Sequence, residues 1–438
     1  VTAGGWRAPA KATGLALTLA LALDFGAGAA AAASGPGASP ILQPPELSNA
    51  RREADERRRT FEPQGAYVGA TRVDLDATLE VGYDDNVHGA PQAAQGAVVT
   101  SATVRGRLTA GTDAYRLSAG AAAGTTHYAG QASLDHPQGE TWLTLDLEGW
   151  ERSRLGLRLN WERRYEMPGD PTLPGAAGAP VPLDVWRGGG NLLLRRGLWL
   201  AGVEGTLSRL NYYDSSRRDG GALDQDDRDR WESDTALRAG IGPLADLDVY
   251  LAVEENLRLY DRPSAPLGLV RDSAATTRWA GVRLDRPERL IVDAAIGRTM
   301  RLHASPWFDP VRRIVWRAVA TWAPTPLTTL SGALWRRLDE TAATAYSAVV
   351  VRGWQAEIAH EVLRNLTLRG RWRTGHQEYE GPAPPRQERR RHLAVAAEWR
   401  LNGRWGVEVD LGWWRTDSSF DIFDMERRRT VLRLSAAL

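Results

Sequence analysis

The chain has no cysteine, a single lysine at Lys11, and past residue 33 no uninterrupted apolar run near the roughly 18 residues a membrane helix needs. The first absence excludes a disulfide-stapled scaffold, and the last excludes a helical membrane protein. The near-absence of lysine leaves arginine as the cation throughout and by itself points to no function. An excess of one charge is missing too: 55 basic residues face 54 acidic ones. Net charge therefore gives no footing for a nucleic-acid partner. Also lacking are a nucleophile elbow, a zinc-spaced histidine pair, a phosphate-binding loop and a dinucleotide fingerprint, so no cofactor and no metal site is expected. What is present is 438 residues with 44 glycines, 18 tryptophans and 25% charged residues, at a mean hydropathy of -0.38. That is enough chain for a large core or several domains.

Residues 1–33 read as a sorting segment. Arg7 and Lys11 precede the apolar stretch "LALTLALAL", and "GAGAAAAAS" supplies small residues for cleavage near Ala33, with Asp24 an atypical end to the stretch. Removing Arg7, Lys11 and Asp24 leaves 53 basic against 53 acidic residues. Residues 34–66 follow as a Pro/Gly/Ser-rich linker and a charged segment, "NARREADERRRTFEP", read as a solvated periplasmic stretch with a docking peptide as the alternative.

From residue 67 to 438 one unit repeats. Runs of alternating apolar and polar residues are joined by connections that are short and long in turn. In "VDLDATLEVGY", Val73, Leu75, Ala77, Leu79, Val81 and Tyr83 share one face, and Asp74, Asp76, Thr78, Glu80 and Gly82 the other. The same division runs through "RLGLRLNWE" and "WGVEVDLGW", where Glu408 and Asp410 oppose Val407, Val409 and Leu411. Short turns fall at 110–113, 195–197, 242–246, 285–288, 323–326, 361–365 and 402–404. Longer loops lie near 84–97, 129–139, 164–185, 212–230, 261–275, 301–313, 338–346, 376–388 and 416–426. This rhythm predicts an all-β fold, a transmembrane up-and-down antiparallel β-barrel of 16–18 strands, with turns toward the periplasm and loops outside. A soluble sandwich or propeller also alternates, but it would not keep charge on one face and aliphatics on the other in strand after strand.

Tryptophans agree with two interfacial girdles. Trp199, Trp322, Trp399 and Trp405 fall at short-turn ends, and Trp161, Trp231, Trp316, Trp335, Trp372 and Trp413 near long-loop ends. The stretch "LEVGYDDNVHG", 79–89, then has three readings: a strand leaving the membrane at Asp84, Asp85 and Asn86, a calcium turn, or paired catalytic carboxylates. The first fits the rhythm. In "DQDDRDR", 224–230, Arg228 sits at an alternate ligand position and no glutamate closes the loop, which excludes an EF-hand.

Residues 57–87, "RRRTFEPQGAYVGATRVDLDATLEVGYDDNV", resemble the opening of the β-barrel porin 2 family of proteobacterial outer-membrane proteins. Arg57, Arg58, Pro63, Gly65, Gly69, Leu79, Gly82, Tyr83, Asp84, Asp85 and Asn86 carry the likeness. The resemblance implies an outer-membrane barrel for small-solute or exopolysaccharide passage and brings no catalytic residues. Such barrels commonly finish on an aromatic residue, whereas this sequence finishes "VLRLSAAL".

The expectation is a porin-type pore with a charged lumen. Acids at Asp74, Asp76, Glu80, Glu408 and Asp410 and arginines at Arg105, Arg107, Arg158, Arg369, Arg371 and Arg373 fall on the polar face. Arg369, Arg371 and Arg373 alternate along one strand, and Glu398 in the adjoining run can relieve only one of them. They are expected to form an anion-guiding wall opposed by an acidic wall around Asp74, Asp76, Glu408 and Asp410. The alternatives are a filled structural barrel and an outer-membrane hydrolase. The hydrolase would draw on His88, His127, His136, His303, His360, His376 or His392, for example as Ser133, Asp135 and His136 in one loop. Expected partners are outer-membrane lipid, the barrel-assembly machinery and small solutes or polysaccharide. Residues 165–186 are the candidate for an inward-folding loop.

Overall fold

The computed structural model describes residues 61–438, apart from 113, 150–152, 169–176, 218–219, 265–267, 287–288, 342 and 344. The readings of a sorting segment and of most of the linker lie outside the described residues. A short lead-in strand, Ala66–Val68, folds back on the first barrel strand. Then come β1 Thr71–Asp84, β2 Ala97–Gly111, β3 Tyr115–Tyr128, β4 His136–Glu148, β5 Arg154–Glu166, β6 Val181–Arg196, β7 Trp199–Tyr212, β8 Arg230–Leu244 and β9 Leu247–Tyr260. The second half is β10 Ser273–Arg286, β11 Leu290–His303, β12 Val311–Thr325, β13 Thr328–Asp339, β14 Ala348–Leu363, β15 Leu366–Glu380, β16 Gln387–Arg400, β17 Trp405–Ser418 and β18 Met425–Ala437.

Each strand pairs antiparallel with its sequence neighbours, and β18 returns to β1 with Asp76 opposite Ala437 and Asp84 opposite Arg429. The sheet is therefore an eighteen-stranded closed barrel, in which every strand edge is paired. Strands run from 12 residues in β13 to 16 in β14, longer than the roughly 9–11 that cross hydrocarbon at a tilt. Their outer ends stand clear of the bilayer. The short connection between β4 and β5 is one that composition did not mark.

Alternation decides which side chain faces lipid. On β1, Leu75, Leu79, Val81 and Tyr83 are 43–54% exposed, whereas Asp84 is buried. The polar set faces inward, because it meets partners on distant strands: Arg317 of β12 donates to Glu254 of β9 at 2.8 Å, and Tyr250 of β9 to Asp293 of β11 at 2.5 Å. Such contacts pass only through the interior.

The girdles form with one correction. Trp405 and Trp413 lie eight residues apart on the outer face of β17, about 20 Å of height at a tilt near 40°. Trp335 does not join the outer girdle. It is 3% exposed, faces the lumen, and carries the Arg373 guanidinium 5.4 Å from its ring centre. Glycine makes room for it: a Cβ on Gly353 of the neighbouring strand would lie 2.9 Å from the indole. Gly281 does the same for Tyr250, at 2.4 Å.

Buried apolar clusters sit under the outer loops. One joins Ala177, Val181, Leu183, Val185, Leu210, Tyr212 and Leu223, and a second joins Val87, Ala97, Val99, Tyr128 and Leu134 with Met167 against it. Part of the 165–186 loop lies outside the described residues, but its described flanks at Met167 and Ala177 pack inward.

Candidate functional site

The opening corner is a latch between the first and last strands. Asp84 is 1% exposed; it accepts the Asn86 backbone N–H at 3.1 Å and the Arg427 Nε at 2.8 Å. Asp85 accepts the Arg428 N–H at 2.7 Å and returns its own N–H to the Arg428 carbonyl at 3.1 Å. The Asn86 side chain donates to the carbonyls of Ala90 and Glu426 and accepts the Ala90 N–H. Asp84 is neutralised by arginine and Asn86 is spent on backbone, so the corner is built for strand closure. Further along the same seam Arg433 donates to Glu80 at 2.7 Å and pairs with Glu408, and Arg429 lies 3.8 Å from Glu80. Arg427, Arg429 and Arg433 alternate on the lumen face of β18, so one strand supplies the cations for both neighbours.

Asp74, Asp76, Glu80, Arg105, Arg107, Arg158, Arg369, Arg371, Arg373, Glu408 and Asp410 all fall on lumen-side positions of their strands. Their arrangement differs from two opposed walls. Arg105 stands opposite Asp76 and Arg107 opposite Asp74 on adjoining strands. Arg369 donates to Glu398 at 2.6 Å and lies 3.7 Å from Glu408, so the acids of β17 are close neighbours of the β15 arginines. Glu398 also accepts from Arg400 at 3.1 Å. Arg371 pairs with Glu357 at 2.7 Å and Arg105 with Glu140 at 2.7 Å. Interleaving prevails because charged residues on adjacent strands face one another at about 5 Å, where like signs repel and opposite signs bond.

Glu140, Glu357, Arg429 and Arg433 were missed as partners. Alternation places each on the polar face; only register brings each to its mate.

Two halves of the lumen differ in solvation. On β8–β13 the ion pairs around Glu340 and at Arg317 are sealed, with Arg258, Arg271 and Arg317 side chains each 6% exposed, whereas Arg238 and Arg283 on the same strands keep 30% and 29%. Arg258 lies 2.5 Å from Glu340 and 3.4 Å from Glu232, Arg271 lies 3.5 Å from Glu340, and Tyr260 also bonds Glu340. On the other side Arg369 and Arg371 are 36% exposed and Arg105 30%, and the sealed pair Arg386 with Glu388 lies only at the outer end of β16. Water reaches this second set.

Among the described residues, Asp135 and His136 are turned to other partners than each other. His136 Nδ1 bonds the Leu134 carbonyl at 2.8 Å, while Asp135 is taken by His127 and by the Tyr128 N–H. The Tyr128 N–H, then His127, hold the Asp135 carboxyl below its ordinary value. His392 lies well inside β16, stacked on Trp414 at 4.6 Å. In the 224–230 loop Arg228 turns inward onto Glu166 at 2.8 Å.

No curated relative matches the sequence. Among solved structures, Pseudomonas aeruginosa OpdO is 13% identical with a TM-score of 0.44, covering 84% of this chain and 97% of that one. P. aeruginosa OccK1 (OpdK) is 10% identical with a TM-score of 0.42, covering 84% and 98%. The siderophore receptor PiuA from Acinetobacter baumannii is 10% identical with a TM-score of 0.45, covering 86% and 82%. Likeness at this level extends over proteins of different kinds and distinguishes no substrate, and none of it speaks for exopolysaccharide. The sequence itself matches a family over residues 59–438, and on that match the chain belongs to the outer-membrane barrels described as "Putative beta-barrel porin 2".

Proposed function

We propose that the barrel is a porin-type channel whose passage follows the solvated half of the lumen, bounded by β14–β18 and β1–β5, and that it conducts small polar and charged solutes without catalysing a reaction. The observation that carries this reading is the contrast in exposure between the Arg369, Arg371 and Arg105 pairs and the sealed pairs around Glu340. Ion pairs that keep contact with water present both signs to a solute and can exchange partners with it; sealed pairs cannot. Arg369 and Arg371 are compensated by Glu398 and Glu357. Arg373, resting on Trp335, is the member of the ladder free of a carboxylate bond among the described residues. The passage is therefore only weakly selective between anions and cations, and its local preference for anions centres on Arg373.

Single-channel recording on purified protein in a planar bilayer tests the reading. Stepwise conductance without ester or peptide hydrolysis is expected. Absence of conductance from folded protein would leave the filled structural barrel in its place, and hydrolysis would favour the enzyme.

A further inference from the structure

Many lumen arginines pair with carboxylates; a second population of arginines lies on the outside, where the cover is partial. On the lipid-facing side, Arg278 of β10 stands directly opposite Arg298 of β11, Arg336 of β13 opposite Arg352 of β14, and Arg391 of β16 opposite Arg415 of β17. Like charges facing across strands destabilise a sheet unless something neutralises them. The carboxylates at hand cover part of this belt. Glu378 lies 3.3 Å from Arg352, and Asp417 is shared between Arg391 at 3.6 Å and Arg415 at 2.7 Å. Glu426 bonds Arg428 at 2.8 Å. Toward β10–β12 the cover runs out. Arg278, Arg298 and neighbouring Arg312 are exposed and have no ion pair among the described residues, and Arg336 reaches only the Ile314 carbonyl at 3.1 Å. Glu255, on the outer face of β9, stands opposite Thr276 and not opposite an arginine.

The belt has a definite height. Arg336 is opposite Trp316 and Arg428 opposite Trp413, while Arg415 is two residues outward of Trp413. Arg298 is eight residues from Leu290, which faces Trp322 of the inner girdle, as Trp413 is eight from Trp405. The guanidinium groups thus sit at or just outside the outer tryptophan girdle, where lipid headgroups lie. The belt is also one-sided. At that level β1–β3 present Tyr83, Val98, Thr100 and His127. On β5 and β7, Arg163 and Arg209 are each clamped by a carboxylate, Asp184 and Asp261.

We propose that the outer face of β10–β18 is a docking surface for phosphorylated lipid headgroups of the outer leaflet. Guanidinium binds phosphate through paired N–H bonds, and two arginines facing across a ladder can clamp one phosphate between them. Charge complementarity selects this occupant. A second copy docking through the same patch about a two-fold axis would set arginine against arginine. The inference stands apart from whether the lumen conducts.

The test uses whole protein in neutral detergent, titrated with diphosphorylated lipid A and with its dephosphorylated form, and read by native mass spectrometry. Wild type should bind the phosphorylated lipid in a salt-sensitive manner. The variant Arg278→Gln/Arg298→Gln/Arg312→Gln should lose affinity by on the order of a hundredfold. A control with equal loss of charge at the inner turns, Arg196→Gln/Arg289→Gln/Arg404→Gln, should bind as wild type does. Heat-modifiable gel mobility of both variants should match wild type, separating lost binding from lost folding. Equal binding by the belt variant or by the dephosphorylated lipid would overturn the proposal. Displacement by millimolar inorganic phosphate would point to free phosphate instead. A dimer abolished by the belt variant would point to a second copy and overturn it as well.

Discussion

The two halves of the lumen are built from the same chemistry, arginine against carboxylate, yet Glu340 with Arg258 and Arg271 is sealed while Arg371 with Glu357 keeps about a third of its surface in water. What differs is the cover. Over β8–β13 Arg271 joins Glu340 and the Thr341 carbonyl across the wall, and large side chains such as Trp279 and Tyr250 lie against the glycines of neighbouring strands. A sealed charge has traded its hydration for its partner and loses heavily when the partner goes; a solvated charge falls back on water. The sealed half should therefore govern stability, and the solvated half should govern passage.

The largest effect expected from breaking this contrast is at Glu340. Glu340→Gln leaves Arg271 buried without its carboxylate and Arg258 with Glu232 alone, and should cost about 3–5 kcal/mol, read as a drop in the temperature at which the SDS-resistant band unfolds. Acid should act similarly. Burial alone pushes the Glu340 carboxyl up, but Arg258, Arg271, Arg230 and Arg301 together hold it well below the ordinary glutamate range. Because the folded value is depressed, the contribution is complete above that range and is lost as pH falls beneath it. Wild-type heat resistance should decline there, and the Gln variant should lack this component. A variant as stable as wild type would show that the two halves do not differ as described.

A smaller effect should separate the two faces of one strand in the solvated half. Val409→Arg places a cation in hydrocarbon and should cost about 2–4 kcal/mol near mid-bilayer, impairing assembly. Asp410→Arg, one residue on and facing water, should assemble. Equal tolerance would mean that the faces of β17 are exchanged.

The smallest change in stability, with the clearest change in selectivity, is expected from Arg369→Gln/Arg371→Gln/Arg373→Gln. Exposed pairs contribute roughly 0–1 kcal/mol each, so folding should survive. Glu357 would then lack its arginine and Glu398 would keep Arg400, and the reversal potential under a low-salt gradient should move toward cation preference, since screening is weakest there. Conductance with unchanged selectivity would remove the role given to these arginines.

Period two was enough to read the barrel and the strand rhythm, because alternation fixes a side chain's face from its own position alone. Of the ten tryptophans it assigned to the girdles, nine stand on the outer face. Trp335 escaped it, since an indole is apolar enough to be assigned to lipid and fits the lumen only because Gly353 lies across from it. What tertiary structure alone decided is which charge meets which. Asp84 and Arg427 are 343 residues apart and become partners only when the last strand closes on the first in one register. The same register turns two expected walls into interleaved pairs, sets Arg278 against Arg298 on the outside, and leaves one half of the lumen sealed. Facing is a local property of the chain, whereas pairing and burial depend on the shear of a closed sheet and on loops folding over it.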